Sequence, residues 1–332
     1  MRLHWNKYSV YYLILIALLN VGIFLLVGRE LSTLRPVTAQ NPVILGKIVS
    51  GPVSGPLGTI SPEKNLGAET ISTLSPARIK QRQDQLAANS KEVLSFLQRK
   101  GLTANYAIAF TDLNAEEISF KHNENRNYAP ASIYKLPLAM VILKQIDLEK
   151  VSLEQVLRYS GKTYTVAEAL TLMITKSDND AMTALERSLG GYNYLIKLIK
   201  TDLGVQIERR TMKATALEIS KAFKILSATG INSYLSGANR LYLLGLLENV
   251  IPEHRDRIPA GMAAFVKARG LNPNDFRVFN KIGNLNGIYQ DAALISSKDS
   301  NYVLIVLNNT RLTTDAAAEI KQITQLLFQG LE

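Results

Sequence analysis

The sequence contains no cysteine and only three histidines among its 332 residues. A chain without cysteine cannot be a lipoprotein. An exported form would also have no disulfides, so its stability has to come from the hydrophobic core, and 47% of the residues are hydrophobic. His4, His122 and His254 are not at metal-ligand spacing, and no nucleophile signature surrounds them. No glycine-rich phosphate loop is present either. We therefore expect no metal, no cofactor and no Ser-His-Asp triad.

Three short motifs follow one another along the chain: Ser132-Ile133-Tyr134-Lys135, Ser177-Asp178-Asn179 and Lys281-Ile282-Gly283. Taken singly they are a solvated helix face, a helix cap and a surface lysine at the end of a strand. Their order and spacing resemble the S-x-x-K, S-D-N and K-T-G motifs of class A β-lactamases and penicillin-binding proteins. The resemblance extends over about residues 80–332.

The first motif carries a potential nucleophile and its base. Pro130 precedes it and an apolar run at 136–143 follows, which predicts a helix beginning near Ser132. Residues three apart share a helix face, so the amine of Lys135 should lie near the Ser132 hydroxyl. A serine needs such a base, and a lysine serves as one only when its pKa is lowered by burial or by a second cation. We expect Lys281 to be that cation.

The second motif lies between two helical patterns, at 166–174 and 181–189. It is therefore predicted to be a turn or the cap of the second helix, and a turn can present side chains to a cleft. By the resemblance, Ser177 would relay a proton to the leaving group and Asn179 would bind a substrate amide.

The third motif precedes a strand-like run at 288–295. A glycine such as Gly283 on a strand often marks the close approach of a ligand or another backbone. By the resemblance, Lys281 would hold a substrate carboxylate or tune Lys135. The resemblance also implies an oxyanion hole formed by the backbone N–H groups of Ser132 and Asn284.

Ile282 departs from the family pattern, because a threonine is expected there. A threonine hydroxyl would bind the carboxylate of a penicillin or a D-Ala-D-Ala peptide. Its loss removes a hydrogen bond to a charged group, worth about 1.5–3 kcal/mol. The alternative is that Asn284 or Asn286 supplies the donor.

A second departure concerns deacylation. Class A β-lactamases carry a Glu-x-x-Leu-Asn loop whose glutamate activates the water that clears the acyl-enzyme. Here the only acids between Gly191 and Met212 are Asp202 and Glu208. Glu208 does not match that loop, and we interpret it as part of a charged turn or helix end. Slow deacylation is the resulting prediction.

The N-terminal residues 1–30 differ from the rest. Residues 8–28 are apolar and long enough to span a bilayer, with Arg2 and Lys7 before them. We expect a single-pass membrane anchor with the remainder of the chain outside the cytoplasm. A signal peptide cleaved near Val37-Thr38-Ala39 is the alternative.

Residues 31–77 contain six prolines, which suits a linker to a catalytic domain at 78–332. The formal net charge is +10. Outside a membrane such a charge favours anionic lipid or cell-wall polymers as partners, and no motif supports nucleic acid.

The predicted elements are helices at 77–99 and 314–328, and strands at 106–111, 117–120, 276–281, 288–295 and 302–307. A long helical section is predicted from 132 to about 247. This order implies an α+β fold, in which a five-stranded antiparallel sheet is flanked by the terminal helices beside an all-helical lobe. The resemblance implies the same serine β-lactamase-like fold, with the site between the lobes.

Three functions remain open. The first is a serine hydrolase that forms an acyl-enzyme at Ser132 with a β-lactam or a peptidoglycan-type peptide amide. The second is a non-catalytic peptidoglycan-binding module. The third is an esterase or peptidase for a substrate without a carboxylate, which Ile282 would suit.

Overall fold

The computed structural model describes residues 74–116, 118–208, 213–298, 300–309 and 313–331. The expected anchor at 8–28 and most of the expected linker lie outside these ranges. No helix within them is both long and apolar enough to cross a membrane. The first described helix begins at Pro76, one residue before its predicted start, and Ser75 caps it by accepting a hydrogen bond from the backbone N–H of Arg78.

The strands of the described chain are β1 Tyr106–Asp112, β2 Ser119–His122, β3 Val156–Tyr159, β4 Lys162–Thr165, β5 Phe276–Leu285, β6 Ile288–Ser297 and β7 Asn301–Asn308. Five of them form one sheet in the order β2-β1-β7-β6-β5. Each neighbouring pair is antiparallel, which confirms the predicted sheet.

The α-helices of the described chain are α1 Pro76–Arg99, α2 Lys135–Asp147, α3 Val166–Thr175, α4 Asn179–Ser188, α5 Tyr192–Asp202, α6 Ala216–Ser227, α7 Gly237–Glu248, α8 Ile258–Arg269 and α9 Thr313–Phe328. The first and last were predicted almost to the residue. Their sequences carry apolar residues at helical spacing, and a proline marks the start of α1.

The sheet separates two apolar cores, because alternate residues of a strand point to opposite faces. In β1, Ile108 and Phe110 belong to the core formed with α1, α8 and α9. Ala107 and Ala109, which alternate with them, belong to the core formed with the helical lobe. The predicted α+β arrangement is therefore confirmed.

Helix α8 was not predicted. Gly261 near its start weakens the helical signal in the sequence, although Pro259 suits the first turn of a helix. Gly261 is required by packing, since a Cβ atom there would lie 2.5 Å from Cβ of Thr324 in α9. The two helices approach closely only because residue 261 lacks a side chain.

The part of the chain between β2 and β5 is mostly helical, but β3 and β4 interrupt it with a short hairpin. The two strands pair from Val156↔Thr165 to Tyr159↔Lys162, and Ser160 and Gly161 at the turn have φ values of 51° and 74°. A Ser-Gly pair is a turn signal that the prediction of a continuous helical section overlooked.

Candidate active site

Ser132 lies in a turn of 3₁₀-helix, Ala131–Tyr134, that leads directly into α2. The predicted helix start is therefore correct in position, but its first turn is tighter than an α-helix. Ala131 has a φ of 46°, an uncommon value for a residue with a side chain. Ile133 and Tyr134 are buried, whereas Ser132 is partly exposed. The turn is thus fixed by its apolar residues while the serine stays accessible.

Gly283 brings the third motif against this turn. The predicted strand 276–281 extends to Leu285, so the whole motif lies within β5. A Cβ atom at Gly283 would be 3.0 Å from the carbonyl oxygen of Pro130 and 3.3 Å from Cβ of Ala131. The close approach expected at Gly283 is therefore to the backbone that precedes Ser132.

The second motif is both a turn and a cap. Ser177 adopts a φ of 59°, in the left-handed region where non-glycine residues are strained. The carboxylate of Asp178 accepts a hydrogen bond from the backbone N–H of Ala181 at 2.7 Å and caps α4. Asn179 is the first residue of that helix and is exposed.

Lys135 links the first motif to the second. Its side chain is 1% exposed, although lysine is rarely buried. Its Nζ donates to Oδ1 of Asn179 at 2.7 Å and to the carbonyl oxygen of Ser177, and it lies 3.5 Å from Oγ of the same serine. The lysine one turn after the potential nucleophile is therefore held by the S-D-N motif.

Lys281 links the third motif to the same serine. It is fully buried, and its Nζ donates to Oγ of Ser177 at 2.9 Å and to the carbonyl oxygen of Ile282 at 3.3 Å. Burial, and next the charge of Lys135, hold the pKa of Lys281 well below its usual value, while the carboxylate of Asp291 opposes this shift. A lysine in this environment can lose its proton far below pH 10, so it can exchange protons instead of acting only as a fixed charge.

A buried polar cluster beneath Lys281 was missed by the sequence analysis. Asp291 accepts hydrogen bonds from Nδ2 of Asn280 at 3.0 Å, from the backbone N–H of Ala292 at 3.0 Å and from that of Ile258 at 3.1 Å. Its burial raises the pKa of Asp291 to about 6, against the lowering effect of Arg257 and of these donors. Asp291 thus provides a negative charge close to two buried cations.

Gln290 was also missed, and it contacts the chain just before the 3₁₀ turn Ala131–Tyr134. Its Nε2 donates to the carbonyl oxygen of Ala129 at 2.7 Å and to that of Asn308 at 3.3 Å. Gln290 is fully buried and pairs with Gly283 across the sheet. The sequence contained one signal for it, because Gln290 and Asp291 are adjacent polar residues in an otherwise apolar strand-like run. Polar residues buried in such a strand need hydrogen-bond partners.

Ile282 and Asn284 occupy different environments on β5. The side chain of Ile282 is 2% exposed, whereas Asn284 is exposed near the end of the strand. Glu208 is exposed, and its backbone pairs with that of Lys213 in an isolated antiparallel bridge. Residues 209–212 lie outside the described ranges.

The histidines of the described chain do not join this site as ligands. His122 contacts the carbonyl oxygen of Thr103 through its Nε2, and burial lowers the pKa of His254 to about 4. Among the described residues, no three His, Asp or Glu side chains converge in a way that could hold a metal ion. Serine, lysine and asparagine are the side chains that the hydrogen bonds between the three motifs bring together.

Residues 89–331 match the family described as the β-lactamase enzyme family. The chain belongs to this family. Its members include enzymes, and the fold and the family together indicate a serine hydrolase. Among curated proteins, none matches the sequence.

The structure also resembles solved structures. A mutant of a protein named PBP-A, described as an acyl-enzyme complex with penicillin G, is 18% identical, with a TM-score of 0.62 over 73% of this chain and 96% of that one. A β-lactamase from Chitinophaga pinensis is 21% identical, with a TM-score of 0.61 over 74% of this chain and 99% of that one. A β-lactamase from Xanthomonas campestris is 18% identical, with a TM-score of 0.61 over 76% of this chain and 99% of that one. At these identities the likeness concerns the fold.

Proposed function

We propose that the chain is a serine hydrolase that forms an acyl-enzyme at Ser132 with a β-lactam or a peptidoglycan-type peptide amide. The observation that carries the proposal is the convergence of Lys135 and Lys281 on Oγ of Ser177. Gly283 supports it, because β5, which also carries Lys281, approaches the residues just before Ser132 closely at this glycine.

In the proposed acylation, Oγ of Ser132 forms a bond to the carbonyl carbon and gives its proton to a neutral amine of the Lys135–Lys281 pair. The carbonyl oxygen becomes an oxyanion, for which the backbone N–H groups of Ser132 and Asn284 are the proposed donors. The bond from the carbonyl carbon to nitrogen then breaks. Ser177 passes a proton to the leaving nitrogen and is reprotonated by a lysine that it contacts.

Each remaining residue has a proposed part in binding. Asn179 is exposed, so its amide NH₂ can bind a substrate amide while its oxygen holds Lys135. Lys281 attracts a substrate carboxylate whenever it is protonated. The buried Ile282 adds no donor at that point, so the affinity for a carboxylate is expected to be one to two orders of magnitude below that of a threonine-containing site.

Deacylation is proposed to be slow. The family loop that carries a water-activating glutamate has no counterpart in the sequence between 191 and 212. Asp202 ends α5 and is exposed, and Glu208 is exposed as well. Without a base beside the acyl group, hydrolysis of the ester to Ser132 lacks the general-base contribution, which is typically about 10²- to 10⁴-fold.

A second candidate function is hydrolysis of an ester or amide that has no carboxylate. The observation that favours it is the isoleucine at position 282, which offers a carboxylate no hydroxyl donor where the family has a threonine. Both candidates use the same acyl-enzyme chemistry, so they differ in substrate and not in mechanism.

The proposed location is the outer side of a membrane, with residues 8–28 as the anchor and anionic wall or lipid polymers as partners. The support is the apolar length of that segment and the net charge of +10. Membrane fractionation of the expressed full-length chain, with and without a high-salt wash, tests this part separately. Release by salt alone would contradict an anchor.

Serine-dependent labelling tests the proposed function. The full-length protein in detergent is incubated with a fluorescent penicillin and, separately, with a fluorescent acyl ester that has no carboxylate. We expect a covalent label that is lost in Ser132→Ala and kept in Ser188→Ala, an exposed serine at the end of α4. Labelling by the ester alone would support the second candidate, and no labelling by either probe would favour a binding module.

A further inference from the structure

A pocket of about 520 Å³ lies in the helical lobe, outside the site around Ser132. It is formed by the C-terminal end of α2, the loop before α7 and the first turn of α7. Its polar lining residues are Lys144, Asp147, Thr229, Ser233, Ser236 and Arg240. Lys144 follows Lys135 by nine residues on α2, or about 14 Å along the helix axis.

Arg240 is a buried cation with no carboxylate partner among the described residues. The residue is 7% exposed, and its Nε and Nη2 donate to the carbonyl oxygens of Leu226 and Ser227 at 3.0 and 3.3 Å. No described carboxylate forms an ion pair with it, whereas the similarly buried Arg82 pairs with Asp112 at 3.0 Å. Burial lowers the pKa of Arg240, which reflects the cost of this uncompensated charge.

Nη1 of Arg240 is the nitrogen left for a ligand. It donates to no described protein atom. It is also not one of the fully buried polar atoms that lack a hydrogen-bond partner, so it remains accessible to solvent. Arg240 itself is one of the residues that line the pocket. The guanidinium is fixed by its two carbonyl contacts, so a ligand would meet a preorganised donor.

Lys144 is a second cation that no described carboxylate neutralises. Its Nζ lies 5.4 Å from the ring centroid of Tyr234. The carboxylate of Asp147 is already used by the chain, since its oxygens accept from the backbone N–H of Ser236 at 2.8 Å and from Nδ2 of Asn239 at 2.7 Å. The N-terminus of α7 adds its partial positive charge to the same pocket.

We propose that this pocket binds a small phosphate monoester, with Nη1 of Arg240 and Nζ of Lys144 as the contacts to the phosphate oxygens. Guanidinium and ammonium groups beside a helix N-terminus are a typical environment for phosphate in proteins. The volume suits a small organic molecule, and the hydroxyls of Thr229 and Ser233 suit a polar body such as a sugar. The proposal does not depend on the activity of Ser132.

Calorimetric titration of the full-length protein tests the proposal, with inorganic phosphate and a hexose monophosphate as the two probes. We expect saturable binding with one site, and tighter binding of the hexose monophosphate. Lys144→Gln should weaken it about tenfold, the effect of one lost hydrogen bond to a charged group. Lys197→Gln, which removes an exposed lysine on α5, is the matched control and should bind as the wild type does.

Arg240→Gln should weaken binding further, with folding checked by circular dichroism. If this buried substitution prevents folding, Lys144→Gln decides the outcome. The absence of saturable binding, an equal loss in Lys197→Gln, or wild-type affinity in Lys144→Gln would each overturn the proposal. Wild-type affinity in that variant would place the bound phosphate elsewhere, as at the lysines near Ser177.

Discussion

Nζ of Lys281 donates a hydrogen bond to Oγ of Ser177 across 2.9 Å, although the two residues are 104 positions apart in the chain. Nζ of Lys135, which belongs to the first motif, lies 3.5 Å from the same hydroxyl oxygen. Ser177, which both lysines approach, has a left-handed backbone with a φ of 59°. The three motifs are therefore joined through one hydroxyl group.

Ser177→Ala removes this hydroxyl and should slow acylation of Ser132 by about 10²- to 10⁴-fold, the usual contribution of a positioned proton-transfer group. The fold should survive, because Ser177 is on the surface of the cleft and α4 keeps its cap at Asp178. The measurement is the rate of labelling by a fluorescent penicillin. An unchanged rate, with Ser188→Ala as the reference, would show that Ser177 relays no proton.

Gly283→Ala should separate β5 from the 3₁₀ turn Ala131–Tyr134, which carries Ser132. The added Cβ would lie 3.0 Å from the carbonyl oxygen of Pro130, so the turn has to shift by a few tenths of an ångström. Misplacement of a nucleophile by such amounts is costly, and we expect acylation to slow by at least tenfold with little loss of stability.

Gly237→Ala is the control for that substitution, because a Cβ atom at Gly237 meets nothing within 4 Å. Both variants are compared by thermal unfolding and by labelling rate. If Gly283→Ala acylates as fast as Gly237→Ala, the close approach at residue 283 has no bearing on the site.

Ile282→Thr restores the hydroxyl that the family has at this position. If penicillin is held by its carboxylate, the second-order rate constant of acylation should rise about 10- to 100-fold, the effect of one hydrogen bond to a charged group. An acyl ester without a carboxylate should gain nothing and serves as the internal control. Equal changes for both probes would mean that the substitution acts on the shape of the site.

Asp291→Asn should change how stability depends on pH. Burial raises the pKa of Asp291 from 3.8 to about 6, so between these values the folded protein binds more protons than the unfolded chain. The contribution of this group to the free energy of unfolding is therefore present below about pH 4 and is lost as the pH rises to about 6, by up to about 3 kcal/mol.

Urea unfolding of the wild type and of Asp291→Asn across this pH range measures the effect. The variant should show a smaller fall in unfolding free energy with rising pH, because Asp112, whose pKa burial also raises, remains, while Asp84→Asn, at an exposed position, should keep the wild-type fall. A parallel decline in all three proteins would show that Asp291 is not the responsible group.

The five strands of the main sheet and the two terminal helices could be predicted from the sequence, because their apolar residues recur with the period of a strand or of a helix. Helix α8 was missed because its packing depends on a glycine that fits against Thr324, a contact between residues distant in sequence. The hairpin of β3 and β4 was missed because strands of four residues carry too short an alternation to be distinguished from a helical pattern.

The motifs located the residues of the site, but not how they touch. Lys135 contacts Ser177 and Asn179, which lie more than 40 positions further along the chain, and no local pattern indicates the positive φ at Ser177. Gln290 and Asp291 were read as parts of a strand, because the need of a buried polar group for a partner becomes visible only when its burial is known. The exposure of Ile282 likewise depends on the tertiary structure.

The decisive measurement is the intact mass of the full-length protein over time after mixing with penicillin, beside Ser132→Ala. We expect an adduct of one penicillin that forms in the wild type alone and persists, because no base clears the ester. Rapid loss of the adduct with accumulation of hydrolysed penicillin would contradict slow deacylation and would require a base among residues not assigned here. An adduct that also forms on Ser132→Ala would contradict the assignment of the nucleophile.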